Sequence, residues 1–258
     1  MGKQVNTNTM RLDKMLVHLG VGSRSEIKKL VKQTLVTVND ETVKDSGMKI
    51  DLEKDIVRVD GEQMHYRAFI YIMLNKPRGV ISATEDARER TVLELLPDSL
   101  RTFQPFPVGR LDKDTVGLLL LTNDGKLAHE LLSPRKHVDK TYYVEASGRL
   151  SEADLSKLEQ GVTLDDGYVT MPAQAVRVAS SGEADQTCFQ LTIQEGKFHQ
   201  VKRMVQAVGS EVTYLKRIRM GPLVLDHTLT EGDWRELTED EVAQLQSRST
   251  DSPDKTAD

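Results

Sequence analysis

The sequence predicts an α+β protein: a mixed, mainly antiparallel sheet domain preceded by a small helix-helix-hairpin module. Three observations carry this reading. Near the N-terminus, Leu12, Met15, Leu16 and Leu19 recur at helical spacing, and a second short helical stretch follows. Further on, apolar runs of strand length dominate, at 69–74, 118–122, 140–144 and 188–193. These strands and the intervening helices lack the alternating βαβ rhythm that a parallel sheet would impose.

The bulk properties agree with a folded, water-soluble chain. Of 258 residues, 38% are hydrophobic, enough for a packed core, and 29% are charged. No apolar run approaches the length of a membrane span. Residues 1–10 are polar and lack the apolar centre of a secretory signal. The single cysteine, Cys188, allows no internal disulfide and sits in an alternating stretch that reads as core. A cytoplasmic location, no membrane partner and a monomeric chain are expected. Net charge is −5, but it is unevenly spread. Residues 1–50 hold nine Lys/Arg against five Asp/Glu, and residues 196–220 hold six against one, whereas residues 231–258 hold three against nine. Local basic faces set the field that a phosphate backbone feels.

In chain order, residues 1–9 read as a flexible N-terminus and 10–61 as the first module. Gly20 ends its first helix. Ser23 and Glu26 form a capping box for the second, which buries Ile27, Leu30 and Val31 and exposes Lys28, Lys29 and Lys32. Residues 35–38 and 41–43 form a hairpin about Asn39-Asp40, and a strand at 56–59 ends at Asp60-Gly61. Residues 62–68 read as a linker and 69–245 as a larger domain. There, the strand at 69–74 breaks at Asn75-Lys76-Pro77-Arg78-Gly79. The strand at 118–122 closes on an Asn123-Asp124-Gly125 turn. A capped helix spans 151–160 and stops at Gly161. A last helix spans 198–208, with Val201, Met204, Val205 and Val208 on its apolar side. Residues 246–258 read as a disordered acidic tail.

The stretch richest in chemistry is Gly109-Arg110-Leu111-Asp112-Lys113-Asp114-Thr115-Val116-Gly117-Leu118-Leu119-Leu120, a charged loop directly before a buried strand. A carboxylate there costs desolvation unless something pairs with it. Residue types alone leave Asp112 as either a turn residue or a catalytic group. This stretch resembles the signature of the RsuA/RluB-type ribosomal RNA pseudouridine synthases. Three further segments agree in order: Leu74-Asn75-Lys76-Pro77-Arg78-Gly79, Lys140-Thr141-Tyr142, and Glu195-Gly196-Lys197-Phe198-His199-Gln200-Val201-Lys202-Arg203-Met204. The N-terminal module, through Arg11-Leu12-Asp13-Lys14, Gly22-Ser23-Arg24-Ser25 and Val36-Thr37-Val38-Asn39, resembles the αL RNA-binding module of ribosomal small-subunit proteins.

The resemblance implies site-specific isomerisation of uridine in ribosomal RNA, without cofactor or metal, on the RNA itself or on a subunit assembly intermediate. It implies Asp112 as nucleophile, Tyr142 as the ring stacking on the uracil, and Lys202 as the cation facing Asp112, with Arg203 the runner-up. Read without it, Lys202 and Arg203 are the solvated face of an amphipathic helix, and either Tyr142 or Tyr143 faces the core. Arg110 either fills the gap left by a flipped base or touches phosphate. Further RNA contacts are expected from Arg11, Arg24, Lys28, Lys29, Lys32, Lys76, Arg78, His199 and Arg203. Asp114 is expected to hold the loop. The segment Lys197-Phe198-His199-Gln200-Val201-Lys202 is closer to the small-subunit branch. The alternatives are a large-subunit target, a non-catalytic RNA-binding assembly factor and a small-molecule enzyme; the last lacks a phosphate-cradling glycine loop.

Overall fold

The computed structural model describes residues 9–179 and 185–250. The chain divides into two compact units. The first comprises the described residues up to Ile70 together with Pro97–Gln104, and the second comprises Tyr71–Leu96 and the chain from Pro105 onward.

In the first unit, strand β1 (Thr9–Arg11) leads into helices α1 (Leu12–His18) and α2 (Arg24–Lys32), followed by β2 (Val36–Val38), β3 (Glu41–Thr42), β4 (Lys49–Asp51), β5 (Val57–Val59) and β6 (Glu62–Met64). The capping box is present: Ser23 N–H donates to Glu26 Oε2 at 2.7 Å, and Glu26 N–H donates back to Ser23 Oγ at 3.4 Å. Asn39 and Asp40 both adopt positive φ, as a tight β2–β3 turn requires. Leu12, Leu16, Ile27, Val36, Ile50 and Val57 are almost fully buried together and form this unit's own core. The stretch 62–68, expected to be a linker, begins as β6, because Glu62–Met64 pairs with β5. Helix α3 (Asp98–Arg101) also belongs to this unit. Beside it, the Phe103 ring lies edge-on to His18 at 4.9 Å, and Arg67 covers that ring at 5.0 Å.

The second unit holds β7 (Tyr71–Lys76), β8 (Phe106–Pro107), β9 (Val116–Thr122), α4 (Gly125–Leu132), β10 (Lys140–Ser147), α5 (Glu152–Gln160), β11 (Gln174–Arg177), β12 (Gln186–Ile193), α6 (Gln200–Ala207), β13 (Val212–Met220), β14 (Leu223–Val224), β15 (Trp234–Glu236) and α7 (Glu239–Thr250). Among the described residues these strands form one sheet in the order β11-β12-β10-β13-β9-β7-β15, with β14 on β13 and β8 on β9. Every pairing is antiparallel except β9 with β13. The sheet is thus mixed and mainly antiparallel. At the parallel junction Gly117 is required: its φ is +102°, and a side chain there would collide with the backbone of Arg217. All seven residues of β9 are buried, as expected of a strand covered on both faces. Met73, Leu118 and Leu120 pack with Leu127 and Leu131 of α4 and with Leu245 of α7. Cys188 is buried, as its alternating context predicts.

Several elements depart from the sequence reading. Strand β7 continues through Asn75 and Lys76 because both find partners inside: Asn75 Nδ2 donates to Leu229 O at 2.8 Å. Asn123-Asp124-Gly125 starts a helix instead of closing a turn. Asp124 accepts from Leu127 N–H at 3.0 Å and from Tyr71 Oη at 2.9 Å, which makes it the N-cap of α4. Helix α6 begins at Gln200, two residues later than the periodicity suggests. Helix α7 extends to Thr250, so the tail expected to be disordered from 246 is helical in its first residues. Residues 1–8 and 251–258 of the expected flexible ends lie outside the described residues. Among the described residues no helix is long and apolar enough to cross a membrane.

Candidate active site

Asp112 sits on the loop between β8 and β9, and that loop is fixed from behind by three upstream groups. Ser82 Oγ donates to Leu111 O and accepts from Leu111 N–H, both at 3.0 Å. Gly79 N–H donates to Lys113 O at 2.8 Å. Lys76 is fully buried, and its ammonium donates to the carbonyls of Thr115 at 2.9 Å, Pro77 at 3.0 Å and Lys113 at 3.4 Å. An ammonium taken out of water needs such acceptors. Within the loop, Thr115 N–H donates to Asp112 O at 3.1 Å. The backbone on either side of Asp112 is therefore held by contacts from three upstream residues. Lys76 was expected to touch RNA; burial corrects that reading and makes it a scaffold for the loop. Arg78, two residues on, is exposed.

The charges around Asp112 form a compact set. Lys202, on α6, places Nζ 3.1 Å from Asp112 Oδ2 and 2.6 Å from Asp114 Oδ1. The side chains of Asp112 and Lys202 are 29% and 24% exposed, so the pair is sheltered but not sealed. Burial works against the Lys202 ammonium, yet its hydrogen bonds to Asp114 and Asp112 prevail and raise its pKa above the ordinary value. Burial likewise pushes Asp114 upward, and the Lys202 hydrogen bond and charge more than reverse this, leaving its pKa below the usual carboxylate value. His199 Nε2 lies 3.6 Å from Asp112 Oδ1. Asp114 thus does more than hold the loop, since it shares the cation with Asp112.

Tyr142, on β10, is buried and faces the same open cleft, which is lined by Arg110, Asp112, Thr115, Tyr142, His199 and Lys202 among others. Val201 lines it beside Tyr142. Tyr143 points to the other face, where its hydroxyl donates to Glu145 at 3.0 Å. Arg110 is exposed at the cleft. Directly across from Tyr142 in register lies Arg217, buried, with Nε donating to Leu118 O at 2.8 Å. Arg217 had no role in the sequence reading; nothing in an alternating strand marks a buried Arg.

The loop before α6 is braced by its own network. Gln200 is buried; it accepts from Lys197 N–H at 2.8 Å and donates to Glu195 at 2.6 Å. Glu195 also accepts from Tyr168 Oη at 2.7 Å and Met171 N–H at 2.9 Å. Arg203 was expected to point to solvent or RNA. Instead its guanidinium pairs with Asp165 and Asp166, its side chain is 15% exposed, and it reaches Phe198 O at 3.4 Å. Those acids lie nearly forty residues away in sequence, beyond any helical-wheel argument.

In the first unit, Arg24, Lys28, Lys29 and Lys32 are exposed along α2. Arg11 is half-exposed, with its fork on Asp13 at 2.7 and 3.0 Å.

The buried Lys76 gives a pH-linked expectation. Burial pushes its pKa down to about 8 from 10.5, against the pull of Asp114 and Asp112. Between those two values the unfolded chain holds this proton more tightly than the folded one, so raising pH favours folding. Relative to Lys76→Met, the wild-type protein should therefore gain stability from about pH 7.5 to about pH 10. Urea midpoints of both proteins at the two pH values test this; parallel changes would count against it.

The chain is similar to known proteins along most of its length. An RNA pseudouridylate synthase family model matches residues 70–207, and an S4 domain model matches residues 10–57. The chain is 53% identical over 234 residues to the Bacillus subtilis RNA pseudouridine synthase YtzG, covering 90% of this chain and 97% of that one. It is 40% identical to ribosomal large subunit pseudouridine synthase B of Bacillus subtilis, covering 92% and 96% of the two chains. It is 39% identical to ribosomal small subunit pseudouridine synthase A of Vibrio vulnificus, covering 90% and 98%. Among solved structures, a crystal structure of a pseudouridylate synthase superposes with a TM-score of 0.62 at 35% identity, covering 92% of this chain and 99% of that one.

Proposed function

Given that the chain belongs to the RNA pseudouridylate synthase family, we propose that it isomerises one uridine of small-subunit ribosomal RNA in the cytoplasm, with Asp112 as nucleophile. The enzyme class follows from the family; the target and the residue roles are our reading. The observation that carries the roles is the Asp112 carboxylate, held 3.1 Å from the Lys202 ammonium in a cleft that also presents the Tyr142 ring.

The chemistry suits that set. The glycosidic N1–C1′ bond breaks, the base turns, and C5 bonds to C1′; C5 gives up its proton and N1 takes one up. Atoms and electrons balance without any redox step, so a carboxylate nucleophile suffices. Lys202 sets a positive charge 3.1 Å from the Asp112 carboxylate in a partly sheltered site. A uridine must leave the RNA stack to reach the cleft, and the Tyr142 ring offsets part of the stacking that it loses. Arg110, exposed at the cleft, fills the gap left in the stack or contacts phosphate. The exposed Arg24, Lys28, Lys29 and Lys32 supply phosphate contacts, in keeping with the S4 match.

The preference for the small subunit rests on Lys197-Phe198-His199-Gln200-Val201-Lys202. A large-subunit target is the second reading, since a large-subunit synthase is as similar to this chain, at 40% identity, as small-subunit synthases are, at 39% and 40%. Deleting the gene and mapping pseudouridines in both ribosomal RNAs by carbodiimide-dependent primer-extension stops decides between them. One stop should vanish from the small-subunit RNA; loss from the large-subunit RNA alone would refute that assignment.

A further inference from the structure

The least explained group near the cleft is Phe198. This residue is 75% exposed, the largest exposure among the large hydrophobics of the described residues. Leaving such a ring in water forgoes about 2 kcal/mol of burial, and it is not loosely held. The ring stacks on His199 with centroids 3.8 Å apart and planes at 18°. His199 has the left-handed φ of +50° just before α6, which turns its own ring towards the cleft, 3.6 Å from Asp112. The Phe198 carbonyl receives Arg203, whose guanidinium is tied to Asp165 and Asp166. Lys197, on the other side, lies over the Tyr168 ring at 4.4 Å, and its N–H is taken by Gln200. A rigid loop thus presents one flat aromatic face to solvent, a single ring's thickness beyond His199.

We propose that Phe198 is a substrate-contact residue whose ring stacks on a nucleobase next to the uridine being isomerised. Three points on the surface favour a base over an apolar protein partner. The cleft beside its partner His199 is lined by the cations Lys197 and Lys202 and by the exposed Arg110. The Phe198 ring lies face to face and nearly parallel with a second ring, the arrangement that continues a stack. It also sits beside the group that must meet the uridine, so a neighbouring nucleotide has to pass this place. Stacking of this kind is worth about 1–3 kcal/mol per base. Arg203 is in this account a positioning residue, acting through the Phe198 carbonyl.

The test uses full-length protein with in vitro transcripts of both ribosomal RNAs. Phe198→Trp gives a direct signal, since a stacked base quenches indole emission; Trp234, present in both proteins, sets the baseline. Transcript should quench the variant well beyond the unmodified protein. Phe198→Ala should raise the half-saturating RNA concentration about tenfold, with the saturated single-turnover rate changing far less. Phe198→Tyr should restore the wild-type value and Phe198→Leu should not. Arg203→Met should show part of the Phe198→Ala defect. Absence of extra quenching, unchanged half-saturation in Phe198→Ala, or full rescue by Phe198→Leu would each overturn the stacking role. These readouts hold whichever transcript the enzyme modifies. A wrong subunit assignment therefore shows as activity on the other RNA, not as a failed stacking test.

Discussion

Asp112→Asn should lower isomerisation by about 10⁴-fold or more, the scale on which removing a covalent nucleophile acts, while RNA affinity stays within a few-fold. Asparagine keeps the shape and removes the negative charge. The loop should survive, because Ser82, Gly79 and Lys76 hold its backbone rather than the Asp112 side chain. Lys202 still has Asp114 at 2.6 Å, so no ammonium is stranded. Tritium release from RNA labelled at uridine C5 reads the reaction, because bonding C5 to the ribose expels that hydrogen. Normal release by the variant would remove Asp112 from the mechanism.

Lys202→Met is expected to be the next most damaging change. It leaves Asp112 and Asp114 without the cation that lies 3.1 and 2.6 Å from them. Like charges in a sheltered site favour proton uptake by one of them. Against burial, Lys202 holds the Asp114 pKa below its usual value, so without it Asp114 takes up its proton at higher pH, and the rising limb of the pH–rate profile should move to higher pH with it. With the pair about a quarter exposed, solvent discounts the loss relative to a buried ion pair, and about 10²-fold in single-turnover rate is expected. Lys202→Arg should recover part of it, since the charge returns with a different geometry. A Lys202→Met profile superimposing on the wild type would mean that the cation has no part in the charge state of the site.

What could be read from the sequence was local or motif-borne. Ser23 with Glu26 and Ser151 before Gly161 are signals carried within one turn, and the structure shows both caps. The Asp112 loop and Lys202 could be paired only through the family resemblance, since eighty-eight residues separate Asp114 from Lys202. The failures share a cause. Asn123-Asp124-Gly125 looks like a turn until Tyr71, from another strand, fixes the Asp124 carboxylate as a cap. Lys76 and Arg203 look solvated until carbonyls of the 113–115 loop and the acids at 165–166 claim them. The left-handed His199 shortens α6 and swings Phe198 out of it, against a periodicity that continues unbroken. In each case a long-range partner overrides a local preference.

The excursion of Pro97–Gln104 into the first unit has a consequence for how the protein is made. The continuous part of that unit ends at Ile70, but Phe103, which meets His18 and Arg67, is supplied only after β7 has been synthesised. During translation the core of the N-terminal unit, drawn from residues 10–66, emerges first, and its Phe103 contacts can be added only once residue 104 has left the ribosome, by which time the second unit has begun. The two units are interleaved in synthesis, and a cut between residues 64 and 70 severs the chain without taking away the piece of the first unit that the second carries.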